Sequence, residues 1–304
     1  VAAAETSTAP AARISEAKSL SAALPELLVE AHRVVATVTA GWHGRRQAGP
    51  GETFWQFRPF APGESASRID WRRSARDNDL HVREREWENA ETVWLYADLS
   101  ASMRWRSNLA SVLKRDRAAV LMLALADLLA RAGERVGVPG LVPASPDRRA
   151  AERIAARLAR EGEPAALPDV AVLRRYAEIV VFSDLLDDLD VLKRFVTSVA
   201  GAGARLHLVQ VLDPAEESFP FTGRTEFVDP ETGQRITAGR AEAWGPEYRA
   251  LIRQQRDTLA DLQRRAGGSF LVHHTDRPAG EALIALHARL AAGDRFAARR
   301  EAVE

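Results

Sequence analysis

Four short apolar runs restrict what this chain can become: VWLYA (93–97), EIVVFS (178–183), RLHLVQVL (205–212) and SFLVHH (269–274). Each has the length of one strand, and none alternates apolar with polar residues throughout, as a strand with one wet face would. Such runs form strands buried on both sides, so helices must pack over both faces of their sheet. The intervening stretches supply those helices, predicted at 108–131, 148–160, 189–200, 246–266 and 280–291, with a further strand at 135–142. The alternation predicts an α/β fold built on a doubly wound, mainly parallel sheet. Between Phe219 and Ala238 the segment TEFVDPETGQRIT reads as a hairpin turning on Pro230–Gly233, a decoration outside the winding.

The rest of the chain organises around that sheet. Residues 1–40 are expected to be a partly disordered N-terminus, because 1–14 are rich in Ala, Ser, Thr and Pro and offer little apolar surface against ordering entropy, followed by a short helix near 20–38. Residues 41–91 form a small β-rich segment punctuated by AGPGE and APGE. Its two extended runs flanking ENAE (88–91) predict a hairpin that feeds the strand ending at Asp98. Residues 92–296 make the α/β domain, and 297–304 a tail.

Composition removes several function classes. Lys plus Arg and Asp plus Glu number 42 each, so no bulk field draws the chain to nucleic acid or an anionic membrane, and a charged partner must be met by a local patch. The absence of cysteine excludes disulfides, thiolate metal sites and thiol catalysis. The longest apolar run, AAVLMLALADLLA (118–130), is shorter than the roughly 20 residues of a membrane span and is broken by Asp127; it reads as a buried helix. Neither a span nor a secretory signal is legible, which gives a cytoplasmic expectation.

Candidate chemistry gathers where two strands end. VWLYADLSASM places Asp98, Ser100 and Ser102 directly after a strand, and Asp184 follows another. In an open α/β sheet, ligands bind beyond the carboxyl ends of the strands, near the point where strand order reverses. A carboxylate and two hydroxyls on one loop, with a second aspartate from a neighbour, are hard oxygen donors of the kind that take magnesium or manganese, leaving a position for a partner's carboxylate. The same residue types also cap helices and form turns, and Asp187 and Asp188 read more readily as the acidic start of the next helix.

YADLSASM resembles the metal-ion-dependent adhesion motif of von Willebrand factor A domains, and VVFSDLLDD resembles the later strand whose aspartate completes it. The preceding segment is similar to the bacterial domain-of-unknown-function-58 family through Phe60, Pro62, Gly63 and Glu64, then Arg68, Ile69, Asp70 and Trp71, then Ser74, Ala75 and Arg76. The resemblance implies a von Willebrand A-like, Rossmann-type domain with Mg2+ or Mn2+ held by Asp98, Ser100, Ser102 and Asp184. It also implies a non-enzymatic role beside a MoxR-type AAA+ ATPase and a client protein, in protein maturation or complex assembly. The adhesion motif expects a threonine from a loop between the two aspartate strands; none occurs from Val93 through Val196, and Ser145 is the one serine outside the motif in the plausible loop.

Two other classes stay open. A magnesium-dependent hydrolase or phosphoryl-transfer enzyme would use Asp98 and Asp184. A nucleic-acid binder would use Trp42, Trp55, Trp71 and Trp87 with Arg45, Arg46, Arg58, Arg68, Arg72, Arg73, Arg76, Arg83 and Arg85. Against the second, Glu52, Glu64, Asp70, Asp77, Asp79, Glu84 and Glu86 are interspersed, which favours a small structural unit with the tryptophans as its core and Asp70 and Arg76 tying its loops. DLSAS lacks the glycines of a nucleophile elbow, none of the seven histidines has a recognisable partner context, and RAGERVGVPG lacks the end of a P-loop.

Overall fold

A computed structural model describes residues 10–43, 54–60, 65, 69–76, 79–85, 91–161 and 167–301, with only the backbone described for 10–21, 40–43, 54–58, 83–85 and 291–301. In chain order the elements are α1 (Pro10–His43), β1 (Phe54–Pro59), α2 (Trp71–Ser74), β2 (His81–Arg85), β3 (Thr92–Ala97), α3 (Lys114–Ala132), β4 (Arg135–Val138), β5 (Val142–Ser145), α4 (Ala150–Glu161), β6 (Glu178–Ser183), α5 (Leu189–Gly201), β7 (Arg205–Leu212), α6 (Pro214–Ser218), β8 (Thr225–Val228), β9 (Arg235–Ala238), α7 (Gly245–Arg265), β10 (Ser269–His274) and α8 (Ala279–Glu301). They divide into two compact units, Val1–Ala40 with Glu91–Glu304, and Gly41–Ala90.

The larger unit is built on a six-stranded sheet in the order β10-β7-β6-β3-β4-β5. All pairings are parallel except β4 with β5. Because successive side chains of a strand point to opposite faces, each apolar run divides between two cores. Val93, Leu95, Ala97, Val180, Phe182, Val209 and Val211 meet α1, α3, α4 and α8 on one face. Tyr96, Ile179, Val181, Leu206 and Leu208 meet α5 and α7 on the other. This double coverage is why the runs need no polar alternation. On α1, Leu24, Leu27, Ala31, Val35 and Val38 recur at helical spacing and face the first core. In α3, Asp127 is tolerated inside a buried apolar run because Arg131, one turn on, donates two hydrogen bonds to it at 2.9 and 2.8 Å, the paired geometry in which a guanidinium best offsets a carboxylate's burial. Among the described residues no helix is long and apolar enough to cross a membrane.

Several sequence expectations change. The strand expected at 135–142 is two strands: the chain turns at Gly140 and β5 runs back along β4 so closely that a Cβ on Gly137 would lie 2.7 Å from Ala144 N. The helix expected from residue 108 begins at Lys114, because the loop before it is pinned at Ser107, whose N–H and hydroxyl both donate to Asp213. Among the described residues β2 and β3 do not pair as a hairpin: β2 pairs with β1, and both edges of β3 are taken by β4 and β6. Helix α1 is longer than the expected 20–38 and already includes residues 10–14, while α8 continues to Glu301, through most of the expected tail. The expected hairpin at 219–238 forms as β8 and β9.

In the smaller unit β1 and β2 are antiparallel, with Ile69 bridging to Val82. Asp70 caps α2 by accepting from Arg73 N at 3.0 Å, and the Ser74 hydroxyl accepts from His81 N, which fixes the short helix against β2. Trp71 does not fill a core, being 62% exposed. Arg72 and Arg76 are exposed as well. Arg45, Arg46, Glu52, Pro62, Gly63, Glu64, Arg68, Asp77, Glu86, Trp87 and residues 88–90 of ENAE lie outside the described residues.

Candidate functional site

From β3 the chain steps to β4 on one side and later returns to β6 on the other, so strand order reverses between β3 and β6. Ala97 pairs with Phe182, which puts Asp98 and Asp184 on the same rim, one residue and two residues beyond that pair. Asp98 N–H donates to Phe182 O at 2.8 Å, continuing the ladder into the loop. The Asp98 side chain is 3% exposed. Its Oδ1 accepts from Ser100 N at 2.9 Å and its Oδ2 from the Ser183 hydroxyl at 2.8 Å. Burial raises the pKa of Asp98, and the charge of Asp184 adds to this against the hydrogen bonds from Ser100 and Ser183. Ser100 and Ser102 share a hydrogen bond between their hydroxyls at 3.2 Å, both half-buried at the surface of the loop.

The second aspartate is held by a cation of the protein itself. Lys114 Nζ lies 2.8 Å from Asp184 Oδ2 and 2.5 Å from Glu216 Oε1, and its side chain is 1% exposed. Burial lowers the pKa of this ammonium, but Asp184 and Glu216 outweigh that and hold it above the ordinary lysine value. Glu216 is fixed in turn by a capping box, in which its Oε2 accepts from Asp213 N at 2.9 Å while Asp213 accepts from Ala215 N. After Asp184 the chain turns through Leu185, buried at φ 53, a left-handed conformation that costs a non-glycine residue about 1 kcal/mol. The turn lets Ser183 Oγ accept from Leu185 N and Asp184 Oδ1 accept from Leu186 N.

Two further carboxylates, Asp187 and Glu231, look onto the rim. Asp188 caps α5, accepting from Asp190 N at 2.8 Å, as its position before the helix suggests. Asp187 does not cap; it is exposed, yet partial desolvation of its carboxyl, followed by the charges of Asp98, Asp184 and Glu231, raises its pKa. Glu231 comes from the turn between β8 and β9. Asp229 builds that turn, accepting from Glu231 N at 2.9 Å and from the Thr232 hydroxyl, and Glu231 Oε1 then accepts from Ser102 N at 2.8 Å. The base of the hairpin is anchored by Phe227, stacked on Phe219 and Trp244 with centroids 5.8 and 5.9 Å away, the offset spacing that aromatic pairs prefer. The Tyr96 hydroxyl, buried below Asp98 and Asp187, has no hydrogen-bond partner among the described residues; burial and those two charges push its pKa up.

The sequence thus brought Asp98, Ser100, Ser102 and Asp184 to one place but missed Lys114, Ser183, Glu216 and Glu231. Ser145 belongs elsewhere: it pairs with Val136, which pairs with Val93 at the far end of β3, and its hydroxyl accepts from Arg153. As arranged, Asp184 faces the Lys114 ammonium rather than an open position for a divalent ion. Both oxygens of Asp98 and both of Asp184 already accept hydrogen bonds from protein donors. Among the described residues no three His, Asp or Glu side chains are grouped to hold a metal. Histidines do have partners: His274 meets Glu217 beside Arg256, and His207 lies between Glu178 and Ser269. His273, adjacent to His274 in sequence but buried, has its pKa pushed down to about 3 by burial and by Arg117.

A mainly parallel α/β domain with carboxylates and hydroxyls gathered at the reversal of its strand order is what these residues define. The chain belongs to the family described as protein of unknown function DUF58, which matches residues 56–258. It is 26% identical over 280 residues to the uncharacterized proteins Rv1480 and Mb1516 of Mycobacterium tuberculosis (H37Rv) and Mycobacterium bovis, covering 85% of this chain and 86% of each relative. Among solved structures it is similar to the conserved hypothetical protein BatB of Bacteroides thetaiotaomicron, with 14% identity, a TM-score of 0.44 and coverage of 68% of this chain and 100% of the other. An aerotolerance-related membrane protein of Bacteroides fragilis follows at 16% identity and a TM-score of 0.38, covering 66% of this chain and 98% of the other.

Proposed function

We propose that this chain is a non-enzymatic protein-interaction module of von Willebrand A-like, Rossmann-type build. In this reading it acts as an adaptor or co-chaperone between a MoxR-type AAA+ ATPase and a client protein, in protein maturation or complex assembly. The contact surface is the loop carrying Asp98, Ser100 and Ser102, with Asp184 behind it, in a degenerate form of the adhesion-type site. The observation that carries this reading is that the loop already receives a carboxylate: Glu231 of the chain's own hairpin accepts from Ser102 N at 2.8 Å. A loop that seats an acidic side chain from a separate, surface-exposed turn is suited to seat one from a partner, and Glu231 then competes with it.

The test is capture of a MoxR-type ATPase from the same genome by the wild type, by Asp98→Ala and by Glu231→Ala, each with a melting curve. The expected outcome is that Asp98→Ala lowers capture at least tenfold while remaining folded, and Glu231→Ala raises it. Capture unaffected by either change removes the rim as the contact surface. No capture by the wild type defeats the adaptor reading.

A further inference from the structure

We infer that Lys114 is the resident cation of the Asp184 side of this rim, supplying at Asp184 the positive charge that a divalent ion would supply in an adhesion-type site, so that the site is metal-independent. The inference concerns the cation alone and holds whether or not the partner is an ATPase. Lys114 occupies the first position of α3, and a helical side chain leans back toward the helix N-terminus, which at this position means toward the rim. Its ammonium is thereby delivered between two carboxylates from neighbouring loops: Asp184, which follows β6, and Glu216, which follows β7. The lysine itself follows β3, so three adjacent strands each contribute one group around a single positive charge.

The neighbouring oxygens are arranged around hydrogen-bond donors, as suits an ammonium. Lysine offers three hydrogen-bond donors and no vacancy for oxygen ligands, whereas magnesium demands about six oxygens in near-octahedral array at roughly 2.0–2.1 Å. Here Asp184 Oδ1 accepts from Leu186 N, Glu216 Oε2 from Asp213 N, and the Asp98 oxygens from Ser100 N and Ser183 Oγ. A divalent ion at Asp184 would have to displace a lysine side chain that is 1% exposed. An ordinary structural ion pair would share the burial, but it would not predict that the vacated position accepts a metal.

The experiment titrates the whole chain with Mn2+, following free Mn2+ by electron paramagnetic resonance and melting temperature in parallel. The wild type should leave Mn2+ free into the millimolar range and melt at one temperature in EDTA and in Mg2+. Lys114→Ala should bind Mn2+ at least tenfold more tightly than the wild type and recover part of its lost melting temperature with Mn2+. Adding Asp184→Asn should abolish that gain. Should Lys114→Ala fail to fold in EDTA, folding induced by Mn2+ but not by equal ionic strength is the supporting readout, with Lys114→Ala/Glu216→Gln as the less charged alternative. Sub-millimolar Mn2+ binding by the wild type that is lost in Asp98→Ala overturns the inference. So does a Lys114 variant, folded or not, that acquires no affinity for Mn2+.

Discussion

At the N-terminal edge of β6 and β7, Glu178 sits between Arg205 and His207, and His207 Nδ1 reaches the Ser269 hydroxyl at 2.8 Å. At the C-terminal edge of the same strands, Asp184 and Glu216 share one lysine, Asp98 has hydroxyl and amide donors but no cation among the described residues, and Asp187 and Glu231 add further negative charge. The strands are common to both ends, so the backbone cannot account for the difference. At the lower end one buried carboxylate meets two basic groups and the network closes on itself. At the upper end loops following β3, β6 and β7 and the β8–β9 turn bring acids together faster than cations. A buried carboxylate left without its counter-charge is strongly destabilising, and the end of the sheet where acids outnumber cations is the one at the reversal of strand order, where the proposed contact lies.

The two ends part most sharply at the lysine. Lys114→Met should destabilise the fold by about 3–5 kcal/mol at neutral pH, because Asp184 and Glu216 are left buried without a counter-charge. The loss should shrink as acid protonates Glu216, whose pKa burial raises, and urea unfolding at neutral and acid pH will show this. An undiminished loss at low pH would assign it to packing instead. At the lower end Arg205→Met should cost less, about 1–2 kcal/mol, since Glu178 keeps His207 and the arginine is partly screened by solvent. Its side chain is 24% exposed, against 1% for Lys114. Equal losses at the two ends would erase the distinction drawn between them.

What the sequence made legible follows from which forces are local. Apolar runs such as EIVVFS declare a strand buried on both faces, and a strand's end declares a rim, so the placement of Asp98 and Asp184 could be read without coordinates. Lys114 could not, because a lysine opening a helix ordinarily points to water and only the approach of the β6 and β7 loops encloses it. Glu216 did carry a signal: Asp213-Pro-Ala-Glu216 fits the capping-box spacing, and recognising it would have predicted α6. Glu231 was seen only as part of a decorative hairpin, since the contact spans 129 residues and depends on where the turn is aimed. The hairpin wrongly expected between β2 and β3 shows the converse: adjacent extended runs suggest pairing, but β3 had both edges claimed by strands distant in sequence.

Smaller changes bear on Asp98. Ser183→Ala should cost about 1–2 kcal/mol by removing the hydroxyl that donates to a buried carboxylate, and should move the Asp98 pKa further upward, as carboxyl carbon shifts in a pH titration by nuclear magnetic resonance will report. Unchanged shifts would mean that Ser183 does not support the charge.

Asp98→Asn has the smallest expected effect and the most informative sign. The asparagine keeps an oxygen for Ser100 N and presents an amide to the Ser183 hydroxyl, which accepts as readily as it donates. The folded pKa of Asp98 is raised by burial, so the native state holds its proton more tightly than the unfolded chain does. Wild-type stability therefore falls as pH rises from the unfolded carboxylate value to the raised folded one, and above that the full cost of the buried charge is present. The variant lacks this cost. It should match the wild type in acid and exceed it by about 1 kcal/mol at neutral pH, with the difference opening across that window. A variant less stable than the wild type at neutral pH would mean that the ionised form is favoured at this rim, as it would be if a cation lay against Asp98, and would count against Lys114 as the only positive charge serving the site.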